Sequence, residues 1–366
     1  MLESWQQEGQ AHFQTAGAFY RPQSRRGRDL GVLAATLYRR DHGQLRVLDA
    51  MSGCGVRPLR YQLEANADWV WANEGNPELG SLLSANLAAL RPDAYAITHQ
   101  DANQVFFSCY QQRDYYDLVD VDNFGGPAPY ANSALWATRL GGLVYLTSTD
   151  GRATSGRDPN RSLQTYGAYA RSHPAIHEQG LRLLLGHGIQ QAAARGLGAE
   201  PIFAYFNGEV HRVMLRLTPG GWQSDRYGFL GYCHGCGQFH TVGWRQLGQV
   251  SCRCGCGHPP VLSGPMWLGP LHDHKVIGAM AALAQDWGWP ETEKLLRVMA
   301  AETPLPPYYY LLGDIGRRGR MDIPPRQRLI AALHRHGFQA SPTHLSHQAI
   351  KTTAPLADCI AIARSG

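Results

Sequence analysis

Residues 115–122 form a β-prone run, Tyr115, Tyr116, Asp117, Leu118, Val119, Asp120, Val121, Asp122, closed by Asn123, Phe124, the turn pair Gly125-Gly126 and Pro127. Side chains alternate along a strand, so Asp120 and Asp122 project to one side while Val119 and Val121 point to the other. Two carboxylates on one side of a buried strand are costly without partners. The strand must therefore end at a polar site. An acid followed two positions later by an aromatic can hold an amino group and stack on the ring that carries it. That combination points to chemistry on a nucleobase.

The upstream sequence sets the fold class. Residues 45–50 read as a strand ending at Asp49-Ala50, followed by the turn Met51, Ser52, Gly53, Cys54, Gly55, Val56, Arg57 and a helical run over 59–65. A glycine turn between strand and helix brings backbone close to a ligand. This turn lacks the third glycine of a dinucleotide fingerprint, and Asp49 would repel a pyrophosphate. The next strand, 69–72, runs into Asn73-Glu74, where a carboxylate can accept both hydroxyls of a ribose. A helix at 81–90 and a third strand at 95–98 lead to Asp101, Ala102 and Asn103. The βαβαβ rhythm is that of an open parallel sheet with its ligand at the carboxyl ends. S-adenosylmethionine, a phosphate-free sulfonium, suits such acidic strand ends better than NAD does.

These residues resemble the tRNA (guanine-26-N2)-dimethyltransferases over nearly the whole chain. The family's elements stand here as Phe19-Tyr20-Arg21-Pro22, Arg28-Asp29-Leu30, Asp49 to Arg57, Asn73-Glu74, Asp101-Ala102-Asn103 and Asp120-Val121-Asp122-Asn123-Phe124-Gly125. Later matches are Thr147-Ser148-Thr149-Asp150, Tyr166-Gly167, His177-Glu178, Gly264-Pro265-Met266-Trp267, Leu271-His272-Asp273, Thr343-His344 and Ala349-Ile350-Lys351-Thr352. The resemblance implies a Rossmann-like class I methyltransferase domain of α/β class, with a smaller zinc-containing α+β C-terminal domain that grips tRNA. It implies transfer of one or two methyl groups to the N2 amine of guanine 26.

Within that reading Asp122 orients the amine and takes its proton, with Asp120 beside it. Phe124 and Phe19 sandwich the flipped base. Arg28 and Arg57 meet the cofactor carboxylate, and Asp49, Glu74, Asp101 and Ala102 complete the cofactor site. Two positions depart from the family. Asn123 replaces a proline, which frees φ and adds an amide able to bind the base or water. Glu74 replaces the more usual aspartate.

At 366 residues the chain has room for two or three domains. Residues 1–218 are expected to form the catalytic domain, with a helix around 174–195 and strands near 202–205 and 211–217 extending the sheet. Within that helix, His177-Glu178 reads as a buried polar pair steadying the fold. Pro219-Gly220-Gly221 marks a boundary, and residues 219–366 carry a cysteine knuckle and helices at 274–287, 291–302 and 325–336, with a short segment at 343–350 last. The sequence Tyr308-Tyr309-Tyr310 reads as a strand or an aromatic face. Cys233 and Cys236, followed by Cys252, Cys254 and Cys256, have zinc-knuckle spacing with one thiol to spare. Cys256 keeps the family's distance to Gly264-Pro265, leaving Cys252 or Cys254 to complete the second pair. Cys54, Cys109 and Cys359 read as buried thiols.

The net charge of +5 and the arginine runs at 25–28, 152–161 and 317–320 suit a polyanion. No stretch has the roughly 18 uninterrupted apolar residues of a membrane helix, and residues 1–8 lack a secretory pattern. A cytoplasmic monomer is expected. Two competing readings are methylation of an amine on another nucleic acid or a protein glutamine, and a non-catalytic tRNA-binding relative.

Overall fold

The computed structural model describes residues 5–252, 254, 257 and 259–365. A hairpin of β1 (Trp5–Glu8) and β2 (Ala11–Gln14) leads into α1 (Arg25–His42). Strands and helices then alternate: β3 (Arg46–Asp49), α2 (Val56–Leu63), β4 (Trp69–Asn73), α3 (Gly80–Leu87), β5 (Tyr95–Thr98), α4 (Ala102–Gln112), β6 (Tyr116–Val121), α5 (Ala128–Ala137) and β7 (Thr138–Ser148). Two short helices, α6 (Gly151–Thr154) and α7 (Pro159–Tyr166), precede α8 (Ile176–Ala193), β8 (Gly198–Asn207) and β9 (Val210–Thr218).

The central sheet runs β5-β4-β3-β6-β7-β9-β8. It is parallel from β5 through β7, and β9 is antiparallel to both neighbours. This is the expected Rossmann-like α/β fold. The chain leaves β3 toward β5 and resumes at β6 on the other side, so the strand order reverses between β3 and β6, where such sheets bind ligands. The helix expected from residue 59 starts at Val56, because Gly55 takes a left-handed φ of 82° and caps it. A side chain there would also collide with Leu83, 2.8 Å from an added Cβ.

Beyond β9, β10 (Tyr227–Tyr232), β11 (Phe239–Val242) and β12 (Val261–Trp267) form an antiparallel sheet. Helices α9 (His274–Asp286) and α10 (Pro290–Glu302) follow. Next come β13 (Tyr310–Leu311), α11 (Leu312–Gly319), α12 (Arg326–Arg335), β14 (Ala340–Thr343), β15 (Ser346–Thr352) and α13 (Leu356–Ser365). The three short strands form a third sheet in the order β13-β15-β14. The triple tyrosine thus ends in a strand, and residues 346–352 lead not to the chain end but to α13.

Apolar packing runs across residue 218. Ile277, Met280, Leu296 and Met299 of α9 and α10 share a buried cluster with Leu30 and Leu33 of α1 and with Val47 and Val70 of the sheet. Polar ties reinforce it. Glu178 on α8 accepts from Lys351 of β15 and from Arg182, each at 2.7 Å, and all three are buried. Glu178 therefore steadies the fold as expected, but its partners are Arg182 and Lys351. His177 instead stacks on Phe206 with ring centroids 4.1 Å apart. Two segments matched by resemblance, around His272 and His344, meet at buried Glu302. His272 Nδ1 accepts from Ala204 N at 3.2 Å, so in the neutral ring its proton sits on Nε2, facing Glu302. Among the described residues no helix is long and apolar enough to cross a membrane.

Glu178→Gln leaves Lys351 and Arg182 buried without their carboxylate and should cost about 3–5 kcal/mol in urea unfolding. Glu291→Gln, which breaks an exposed pair with Arg26, should cost less than about 1 kcal/mol.

Candidate active site

The carboxyl ends of β3, β4 and β6 open on a cavity of about 580 Å3, within the range of small-molecule sites. Its floor is the turn from Ala50 to Arg57. Gly53 has a φ of 55°, and its N–H donates to Glu74 Oε2 at 2.7 Å, while Asn76 N donates to Oε1 at 2.9 Å. Glu74 thus ties the glycine turn to the end of β4, and each oxygen keeps a lone pair. Asp101 uses Oδ1 to cap α4 through the N–H groups of Asn103 and Gln104, and Asp101 and Ala102 both line the cavity. Among the described residues the arginines of the wall, Arg21, Arg28, Arg57 and Arg212, are each paired with a carboxylate, while Glu74 and Asp101 have no cation partner, which suits a cationic ligand better than a pyrophosphate.

The other end of the cavity is built on charge pairing. Asp122 follows β6 with its side chain 24% exposed. Arg57 Nη2 donates to its Oδ2, and Arg212 Nη1 to its Oδ1 at 3.1 Å. Arg57 reaches back with Nη1 to Asp120 Oδ2 at 2.8 Å, where Tyr61 also donates at 2.7 Å. Arg212 is held in turn by Thr147 Oγ1 at 2.7 Å. Burial alone would raise the Asp122 pKa, but Arg212 and Arg57 overcome it and hold the carboxyl well below the usual range.

Several of the expected site residues are paired with one another or with the N-terminal hairpin. Asp120 is fully buried and lies behind the cavity wall, where it holds Arg57. Asp49 is likewise sealed off, although the next residue, Ala50, lines the cavity. Arg57 and Arg28 both line the cavity, and each guanidinium also has protein partners. Arg57 is taken by the two aspartates, and Arg28 by Glu8, at 2.7 and 2.5 Å. Burial would raise the Glu8 pKa, yet the Arg28 and Arg60 guanidiniums bring it down to about 2.

Phe19 and Phe124 stand together at the mouth, 66% and 75% exposed. Their ring centroids are 4.9 Å apart at 71°, an edge-to-face contact. A base held between them needs two stacking distances, roughly 7 Å, so the sandwich forms only when the rings part. Asn123 spends its amide on the loop: Nδ2 donates to the carbonyls of Phe124 at 2.8 Å and Gly126 at 2.9 Å. Its donor is therefore unavailable to a base. Gly125 N donates to Thr149 Oγ1 at 2.8 Å, which fastens the same loop to the end of β7.

Sequence reasoning missed Arg212 and Glu8. An arginine inside the apolar run of β9 was the available signal, since a buried cation demands a carboxylate. Glu8 carried no comparable signal, because its partners lie 20 and 52 residues away.

The cysteines lie apart from the cavity. Cys233 and Cys254 have sulfurs 3.7 Å apart, Cys236 and Cys252 3.5 Å apart, and all four lie within 4.8 Å of one another. These separations are too long for disulfides. Cys256 lies outside the described residues. Arg318, expected to meet phosphate, donates to the carbonyls of Gly235 and His234 and braces this knuckle. Cys54, Cys109 and Cys359 are buried as expected.

Arg212→Met removes one of the two cations on Asp122. Allowing for the partial exposure of the carboxylate, it should cost about 2–3 kcal/mol at neutral pH. Because the folded-state pKa of Asp122 is depressed, this stabilisation is complete above the ordinary value of 3.8 and lost as pH falls through the lower folded value. Urea midpoints of the two proteins should therefore converge in strong acid.

The family model for N2,N2-dimethylguanosine tRNA methyltransferase matches residues 4–364. The tRNA (guanine(26)-N(2))-dimethyltransferase of Aeropyrum pernix is 31% identical over 92% of this chain and 86% of its own length. That of Pyrococcus horikoshii is 29% identical over 92% and 90%. The structure of Trm1 from Pyrococcus horikoshii in complex with S-adenosyl-L-methionine superposes with a TM-score of 0.85 at 28% identity, covering 98% of this chain and 99% of that one. The chain belongs to the N2,N2-dimethylguanosine tRNA methyltransferase family.

Proposed function

We propose that this protein transfers one or two methyl groups from S-adenosylmethionine to the N2 amine of guanine in tRNA, at position 26 as in its relatives. One observation carries the mechanism: an ionised carboxylate, Asp122, stands in the wall of the same cavity that Glu74, Asp101 and the glycine turn line. When bound, the cofactor supplies an electrophilic methyl group, and its transfer leaves a neutral thioether and one proton to remove. Glu74 and Asp101 would hold the ribose and adenine, with Gly53 and Cys54 beside them. Glu74 and Asp101, which have no cation partner among the described residues, favour the sulfonium.

Asp122 accepts a hydrogen bond from the amine and points its remaining lone pair inward. Arg57 and Arg212 keep that carboxylate ionised and fixed. They also make it a weak base, so it takes the proton as the N–C bond forms, when the nitrogen turns acidic. Asp120 acts through Arg57 as a positioning residue. Phe124 and Phe19 part and stack on the flipped base, replacing the stacking it lost in the helix. Asn123 positions Phe124 by stapling its loop.

Residues 1–218 would carry the chemistry, and residues 219–366 would grip tRNA. Arg152, Arg157 and Arg161 are exposed on α6, α7 and the turn between them, just after Thr149 at the cavity, which supports phosphate contact there. Cys233, Cys236, Cys252 and Cys254 fit a structural zinc, since a tetrahedron with 2.3 Å Zn–S bonds has sulfurs about 3.8 Å apart.

Incubating tRNA transcripts with S-adenosylmethionine and analysing the nucleosides tests the reading. N2-methylated guanosine at position 26 is expected, and methylation only at another base or not at all would sink it. Asp122→Asn should abolish transfer while the cofactor still binds. Near-normal turnover in that variant would remove Asp122 from its role.

Elemental analysis of protein purified under reducing conditions should give about one zinc per chain. Cys236→Ser should lower both zinc content and melting temperature. A metal-free protein that melts at the same temperature as the purified one would rule the zinc out.

A further inference from the structure

The charges behind the cavity do not balance. Asp49, Asp120 and Asp122 carry three negative charges when ionised, and Arg57 and Arg212 supply two positive ones. Among the described residues, the other titratable groups acting on these acids are Tyr61 on α2 and Tyr145 on β7, phenols that burial keeps neutral.

Asp49 is the member without a counter-ion. It is fully buried and lies opposite Asp120 in the parallel register of β3 and β6. Neither of its carboxylate oxygens has a well-formed hydrogen bond among the described residues; the neighbouring Ser52 hydroxyl, which lowers its pKa slightly, donates to the Asp49 carbonyl at 3.3 Å instead. Asp120 has a bare oxygen as well, because Arg57 and Tyr61 both donate to Oδ2 and leave Oδ1 alone. Three buried oxygens on adjacent strands thus lack well-formed hydrogen bonds, and a proton is the cheapest donor they can acquire. The pKa directions agree. Asp49 is pushed well up by burial and then by Asp120, and Asp120 is pushed up by burial.

Resting on the methyl-transfer reading, we propose that Asp49 and Asp120 share a single proton in the ligand-free site, that a bound sulfonium donor expels it, and that the thioether product does not. Asp49 touches no ligand. It sits one residue behind the wall formed by Ala50 and Arg57, and acts on the donor through its charge. A cation in the cavity favours the ionised pair, so donor and proton exclude each other reciprocally. Donor affinity then rises with pH across the titration of the pair, by at most about tenfold per pH unit, while product affinity does not share this rise. The site thereby distinguishes methylated from spent cofactor by charge.

Isothermal titration calorimetry on the full chain, with S-adenosylmethionine and with S-adenosylhomocysteine in buffers of unlike ionisation enthalpy, counts the protons. The sulfonium acidifies the donor's amino group relative to the thioether's, so the counts are compared at about pH 6, where both amines are protonated. Release of up to about one proton is expected with the donor and almost none with the thioether. Asp49→Asn should flatten the pH dependence of the donor-to-product affinity ratio. Equal proton counts for the two ligands in the wild type would overturn the inference, as would an unchanged pH slope in a folded Asp49→Asn protein. Should that variant not fold, the wild-type comparison decides alone. If neither ligand binds, the methyl-transfer reading falls and this inference with it.

Discussion

Two guanidiniums wedged among strand-end carboxylates hold the central sheet and its cavity in one geometry. Parallel register sets Asp49 beside Asp120, and Asp122 follows two residues on. Left alone, these acids would drive the strand ends apart or fill them with water. Arg57, in the first turn of α2, answers two of them because the glycine turn delivers that helix directly over the end of β6. Arg212 comes from the opposite direction. An antiparallel strand enters a sheet at the edge where its parallel neighbours end, so the third residue of β9 arrives beside Thr147 and Asp122. The inserted antiparallel strand thus delivers the second cation to the ligand side.

The same logic of paired burial extends outward. Glu8 on the N-terminal hairpin accepts from Arg28, Arg60 and Tyr20, so the hairpin is bound to α1 and α2. Tyr20 is anchored in this way, and its neighbour Phe19 is left over the cavity mouth. A ring so exposed gains little from packing, and its edge contact with Phe124 is exchangeable for a base. Farther out, Glu178 on α8 binds Lys351 of β15, and Glu302 at the end of α10 binds His344 and His272, which accepts from Ala204 of β8. The segments expected to grip tRNA are therefore rigidly referenced to the site, by apolar packing as well as by charge.

Much of this was legible in the residues. The alternation of β3 to β6 could be read because each strand is short, apolar and closed by turn residues. The cavity wall was legible because its acids stand at strand ends, where burial alone gives no reason for them. What escaped was pairing across distance. Sequence places Arg28 and Arg57 near a cofactor, but only the fold reveals that Glu8, Asp120 and Asp122 hold them in position. Asp49 and Asp120 are buried one layer behind the lining residues. Alternation decides which side of the strand a carboxylate faces, and not whether a wall residue stands in front of it. The hairpin at residues 5–14 carried no pattern long enough to read.

The low basicity of Asp122 decides what kind of catalyst the site can be. With two arginines upon it the carboxylate is ionised across the physiological range, yet it is too weak to deprotonate a neutral guanine amine in advance. In the proposed reaction the proton therefore moves only once carbon–nitrogen bonding has made the nitrogen acidic, and Asp122 contributes chiefly by direction. Acceleration then depends on alignment. Alignment is what the surrounding hydrogen bonds supply: Asn123 and Thr149 fix the loop of Phe124, and Arg57 and Arg212 fix the carboxylate. Asn123, which lacks the ring that stiffens proline, secures the loop with its side chain instead. The departure from the family at this position therefore preserves the requirement for a rigid loop while changing the means.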